Sequence, residues 1–98
     1  MPKKDRKLRS KPSGETWFVY IVRCGDGTLY TGITKDVSRR SQQHNAGTAS
    51  RYTRSRRPVR LVYQELHTSQ SSALKREAAI KAMTRQEKLA MIRAKKKS

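Results

Sequence analysis

The chain has 98 residues with 24 basic against 7 acidic side chains, a formal net charge of +17. A chain this short makes one domain with a thin core and a modest stability margin, and a charge this large points to a polyanionic partner rather than to a fold. One cysteine excludes an internal disulfide, and that cysteine with two histidines cannot assemble an ordinary zinc site. No apolar run is long enough for a membrane span or forms a signal-peptide core, so the expectations are no membrane partner, a cytoplasmic location and a monomer by default.

Residues 1–15, MPKKDRKLRSKPSGE, carry six basic and two acidic side chains with little apolar mass and read as a disordered basic tail. Residues 93–98 read as a second basic tail. Between the two tails the chain keeps 14 basic and 5 acidic residues, so the domain expected over residues 16–92 is itself basic by +9. Affinity for a polyanion therefore does not rest on the tails.

The run WFVYIV (17–22), the turn signal Gly25-Asp26-Gly27 and the run TLYTGI (28–33) read as a β-hairpin. A three-residue loop with Gly27 left-handed pairs Cys24 with Thr28, Val22 with Tyr30 and Tyr20 with Gly32, which puts Tyr20 and Tyr30 on one face. A two-residue loop at Asp26-Gly27 would separate them. We take the first. Asp36 then offers an N-cap for a helix over 37–45 that stops near Gly47, and on it Arg40 and His44, four apart, point the same way. Singly, each has an ordinary reading as a strand aromatic, a solvated charge or a surface histidine.

The long loop 46–58 sets Arg51, Arg54, Arg56 and Arg57 around Tyr52. Planar guanidinium donors grip phosphate oxygens in pairs and a tyrosine can stack on a base or sugar, so this loop is expected to clamp a nucleic-acid backbone. Residues 59–66 read as a third strand ending at His67. A second helix runs from a cap at Ser69 or Ser71 to Met83, with Leu74, Ala78 and Lys81 on its packing face and Glu77 beside it. Thr84 to Glu87 forms a capping box that starts a last helix packed through Leu89 and Ile92. The expected fold is α+β, a three-stranded antiparallel sheet flanked by helices in the order β-β-α-β-α-α, with the last two helices on one face. Glu77, between cations, has an ordinary reading as the i,i+4 partner of Lys81.

Phe18-Val19-Tyr20 and Tyr30-Thr31-Gly32, with their tyrosines ten residues apart, followed in order by Arg40, His44 and Glu77, resemble the GIY-YIG nuclease superfamily over roughly residues 17–83. The likeness is greatest to its small stand-alone bacterial members. It implies a metal-dependent endonuclease that hydrolyses phosphodiesters, structure-guided or weakly specific, acting on DNA more than RNA. On this resemblance Tyr20 and Tyr30 line the site and one of them helps deprotonate water, Arg40 neutralises the non-bridging oxygens, and His44 orients or protonates nearby groups. Glu77 holds the metal. A lone carboxylate suits Mg²⁺, which keeps several of its waters, with Mn²⁺ able to stand in. Two positions depart from the pattern of many active relatives: Ile33 stands where they carry a basic residue, and Leu89 where they carry an asparagine. Two other readings fit the charge: a nucleic-acid-binding domain without catalysis, and an RNA-contacting component of an assembly.

Overall fold

The computed structural model describes residues 16–97; the tail expected over residues 1–15 lies outside the described residues. Strands β1 (Trp17–Arg23) and β2 (Leu29–Thr34) are followed by helices α1 (Val37–Ala46) and the short α2 (Arg51–Arg54), then by strand β3 (Arg60–His67) and helices α3 (Gln70–Lys81) and α4 (Arg85–Lys97). The sheet runs β2-β1-β3 with both pairs antiparallel. Val22 faces Tyr30 and Tyr20 faces Gly32, the register expected of the three-residue loop. Gly27 has φ 88°, Cys24 N–H donates to the Thr28 carbonyl at 2.8 Å, and Asp26 accepts from the Thr28 hydroxyl at 2.7 Å. A left-handed glycine closes such a loop without a Cβ clash.

Central β1 is buried on both faces, which explains why its apolar run shows no polar alternation. Val19 and Ile21 pack with Tyr63, Ala73, Ile80 and Ile92 beneath α3 and α4. Tyr20 and Val22 pack with Cys24 and Val59 on the other side, where α1 closes the sheet through the buried His44. The last two helices share one face as expected, and α1 with α2 makes a third layer on the opposite one. Asp36 caps α1 by accepting from Arg39 N–H at 3.0 Å, and Gly47, at φ 83°, ends it. The Asn45 side chain bonds both N–H and carbonyl of Val59, at 2.8 and 3.0 Å, and so ties the end of α1 to the start of β3.

The packing face of α3 differs from the expected Leu74, Ala78 and Lys81. Ala73 and Ile80 are fully buried, whereas Leu74 is 46% exposed. One residue is about 100° of helix rotation. The small Ala73 lets α3 lie close on β1 and β2, a contact the larger Leu74 would hold open. The capping box forms as read, with Thr84 N–H donating to Glu87 at 2.8 Å and Glu87 N–H to Thr84 at 3.1 Å. Helix α4 runs through to Lys97, so the basic residues from Arg93 to Lys97 are helical.

On the α3 side, Glu65 accepts from Arg76 at 3.0 Å, lies 2.7 Å from His67 Nε2 and accepts from the Tyr63 hydroxyl. Burial alone would raise the Glu65 carboxyl, but hydrogen bonds from Tyr63, His67 and Arg76 outweigh it and hold the group below its usual range. His67, which also meets Ser72 Oγ at 2.6 Å, is a structural tie between β3 and α3.

Candidate active site

Tyr20 organises the site. Its ring lies across Gly32 on the neighbouring strand, where an added Cβ would stand 2.7 Å from the phenol oxygen and 2.9 Å from Cζ. Only glycine at this position leaves the ring its place. The hydroxyl meets His44 Nε2 at 2.9 Å, His44 Nδ1 meets Thr53 Oγ1 at 2.7 Å, and Thr53 Oγ1 meets the Ser50 carbonyl at 3.4 Å. A carbonyl can only accept, so the Thr53 hydroxyl donates to Ser50 and accepts from His44 Nδ1–H. Nε2 is then the bare nitrogen and accepts from Tyr20 O–H. With His44 in that tautomer the hydrogen bonds run in one sense, from Tyr20 through His44 and Thr53 to Ser50.

The ionisations agree with that direction. Burial, then the Arg40 charge, lowers the His44 pKa and keeps the fully buried ring neutral. Burial, then the neighbouring Tyr30, pushes Tyr20 up to about 12, against the pull of the Arg40 charge and hydrogen bond; the Glu77 charge raises it further. Tyr20 is therefore protonated at neutral pH.

The other expected residues gather around this phenol. Arg40, half-buried on α1, donates from Nε to Gln43 Oε1 at 3.0 Å. The Tyr30 ring stands edge-on to His44 at 5.2 Å and next to the exposed Tyr52 at 5.8 Å, so a row of aromatics leads from the buried histidine to the surface. Glu77 on α3 keeps only 18% of its side chain exposed and lies 3.4 Å from Lys81, itself 57% exposed. A solvent-facing i,i+4 pair is worth about 0.5 kcal/mol at most and does not account for a carboxylate held this far from water. Among the described residues no three histidine, cysteine or acidic side chains converge. The Glu77 carboxylate, whose charge is felt at Tyr20, is a hard oxygen donor of the kind that suits Mg²⁺ with retained waters and not a closed nitrogen and sulfur site.

Next to Arg40 a cavity of about 390 Å³ opens between Trp17, Ile33, Lys35, Arg39 and Gln43. Lys35 brings a cation to the cavity wall where Ile33 brings none. Leu89 lies elsewhere, beside Val62 and Ile92 on the far face of the sheet. Its difference from an asparagine therefore falls outside the tyrosine and histidine cluster.

The basic loop is more ordered than its sequence suggests. Ser50 caps α2 by accepting from Tyr52 N–H at 3.0 Å. Arg56 pairs with Asp26 at 3.1 Å and stacks its guanidinium 3.9 Å from the Tyr52 ring centroid. Arg57 donates to the carbonyls of Arg54 and Asn45, at 2.9 and 3.3 Å. Arg51, Tyr52, Arg54 and Arg57 are exposed and Arg56 is half-buried, and Arg56 and Arg57 also hold the loop in shape. Thr53, the buried partner of His44, is a site residue that sequence reasoning misses. Its one signal is the cap-like Ser50 three residues before it.

A profile of the GIY-YIG catalytic domain matches residues 16–90, and the chain belongs to that family. Among curated relatives, UPF0213 proteins of Staphylococcus aureus strains Mu50 and N315 are 56% identical over 79 residues, 81% of this chain and 96% of theirs. The solution structure of a UPF0213 protein from Bacillus halodurans is similar at 39% identity with a TM-score of 0.55, over 82% of this chain and 85% of that one. A solution structure from E. faecalis is similar at 35% identity and a TM-score of 0.53, over 78% and 82% of the two chains. No helix among the described residues is long and apolar enough to cross a membrane.

Proposed function

We propose that the chain is an endonuclease that hydrolyses phosphodiester bonds in DNA, with Mg²⁺ held at Glu77 and Mn²⁺ able to replace it. The observation that carries this reading is the one-way hydrogen-bond chain from Tyr20 through His44 to Thr53, with the Arg40 and Glu77 charges both acting on the same phenol. A phenol with pKa near 12 is no use as a free phenolate at neutrality. It need not be one. As the Tyr20 oxygen takes a proton from the attacking water, its own proton passes to the bare Nε2 of His44, which is neutral and already in contact. Thr53 holds the histidine in the tautomer that can accept.

As the water oxygen bonds to phosphorus, the non-bridging oxygens gain charge, and the Arg40 guanidinium supplies planar donors to offset it. Glu77 would hold the metal, which would supply further positive charge against the charge that develops on the phosphate. Arg51 and Arg54 grip backbone phosphates and Tyr52 stacks beside Tyr30. Phosphate contacts carry little sequence information, so recognition is by shape or weakly specific.

Exchanging each tyrosine for phenylalanine tests the proton path. Tyr20→Phe should slow cleavage about 10²- to 10⁴-fold, the usual worth of a positioned proton acceptor, and Tyr30→Phe should cost far less. A larger loss in Tyr30→Phe would transfer the role of base to Tyr30. The pH profile carries a second sign. The active form has His44 neutral, and its lowered pKa extends that form to lower pH. The turnover rate should hold as pH drops through the ordinary histidine value of about 6.5 and fall only below it.

A further inference from the structure

The face of the sheet away from Tyr20 carries a second cluster of cations that the hydrolytic chemistry does not use. Arg23 has the strand parity of Val19 and Ile21, on the side of α3 and α4. With Arg60 of β3 and Arg93 and Lys96 of α4 it lines a cavity of about 190 Å³ whose floor includes Val62 and Ile92.

The register between β1 and β3 is what brings the two arginines together. Ile21 faces Tyr63 but Val22 faces Leu61, so Val62 is an extra residue, a β-bulge, and Arg23 comes to face Arg60. Unbroken pairing would have set Arg23 against Leu61. Like charges directly opposite on antiparallel strands repel and destabilise the pair, and bulges re-aim side chains beside functional sites. Among the described residues no acidic side chain is paired with either arginine. The five acidic residues of the described chain are all engaged elsewhere: Asp26 with Arg56, Asp36 and Glu87 as helix caps, Glu65 with Arg76 and His67, and Glu77 with Lys81. Lys95, between Arg93 and Lys96, goes instead to the face of Tyr63 at 5.5 Å.

We infer that Arg23, Arg60, Arg93 and Lys96 form a second binding site, for the phosphates of a nucleic-acid backbone, on the α3 and α4 side of the sheet, across it from the Tyr20 and His44 cluster. The inference rests on the reading of the chain as a nucleic-acid enzyme and adds to it. A substrate that fills both sites must be long or bent enough to reach around the molecule, whereas a short strand fills only the Tyr20 side.

The test compares the full wild-type chain with Arg60→Glu and with Arg85→Glu, an equal change of charge at an exposed position on α4. Arg60→Glu turns the cross-strand repulsion into an ion pair, so its unfolding midpoint at low salt should rise. Inorganic pyrophosphate should raise the midpoint of the wild type and of Arg85→Glu but not that of Arg60→Glu. For a duplex of about 30 base pairs, Arg60→Glu should bind about tenfold more weakly than Arg85→Glu, with a salt dependence shallower by roughly one to two in log K against log salt. For a strand of about six nucleotides the two variants should bind alike. Equal duplex losses in the two variants would overturn the site, and so would equal stabilisation of both by pyrophosphate. A pyrophosphate effect specific to Arg60 without a duplex effect would overturn the nucleic-acid assignment and leave a site for free phosphate. All of these are binding or stability readouts, so a chain that binds as expected and cuts nothing would defeat the nuclease reading and leave this site standing.

Discussion

Glu77→Ala should abolish metal-dependent cleavage, a loss of about a thousandfold or more, while nucleic-acid binding stays equal or tightens. Glu77 is the carboxylate whose charge reaches the Tyr20 phenol, and among the described residues it belongs to no cluster of three or more histidine, cysteine or acidic side chains. A metal held there supplies several kcal/mol of transition-state stabilisation, and about 1.4 kcal/mol is tenfold in rate. Binding moves the other way because the substitution also removes a negative charge that repels phosphate. The fold should survive, since the substitution breaks one ion pair, to a Lys81 that stays 57% exposed to solvent, and leaves no new buried polar group behind. Single-turnover cleavage with Mg²⁺, binding measured without divalent cation, and the unfolding midpoint together check all three statements.

Arg40→Ala should lower turnover about 10²- to 10³-fold with little loss of affinity, because a donor aimed at charge that develops during reaction stabilises the transition state more than the bound substrate. The same substitution should leave a second mark. The Arg40 charge is part of what depresses the His44 pKa; without it that pKa rises, and the acid limb of the pH profile moves to higher pH. Arg40→Lys keeps a positive charge but loses the planar pair of donors, so it should restore much of the pH profile and only part of the rate. A variant slowed without any shift of the acid limb would mean that the guanidinium does not act on His44.

Local chemistry is readable from the chain wherever a turn or cap residue fixes the backbone. Gly27 sets the hairpin register, Asp36 and Gly47 bound α1, and Thr84 with Glu87 opens α4. The same register places Tyr20 and Tyr30 on one face, and a four-residue step places Arg40 and His44 on one side of α1, so most of the cluster follows from spacing. What does not follow depends on contacts distant in sequence. A four-residue helix has no periodicity to detect, so α2 reads as loop, and with it goes Thr53, whose role exists only because α2 packs against α1. The direction of the Tyr20 to His44 proton path needs Thr53 and Ser50, so residue spacing leaves the choice between the tyrosines open. Helix α3 presents Ala73 rather than Leu74 because close approach to a sheet favours the smaller side chain, against the pull of the hydrophobic pattern. Nor does the run 17–22 announce that both its faces are covered, since an apolar strand reads the same whether a helix lies on one side or on two.

Cleavage by the wild-type chain beside Glu77→Ala is the most direct measurement, on single-stranded, flapped, branched and plain duplex DNA with RNA alongside, first with Mg²⁺ and then with Mn²⁺. A metal-dependent hydrolase built on Tyr20, His44, Arg40 and Glu77 will cut at least one DNA substrate in the wild type and none in the variant, at matched occupancy. Binding without cutting in either metal would contradict it and leave a nucleic-acid-binding domain, and so would cleavage that persists unchanged in Glu77→Ala.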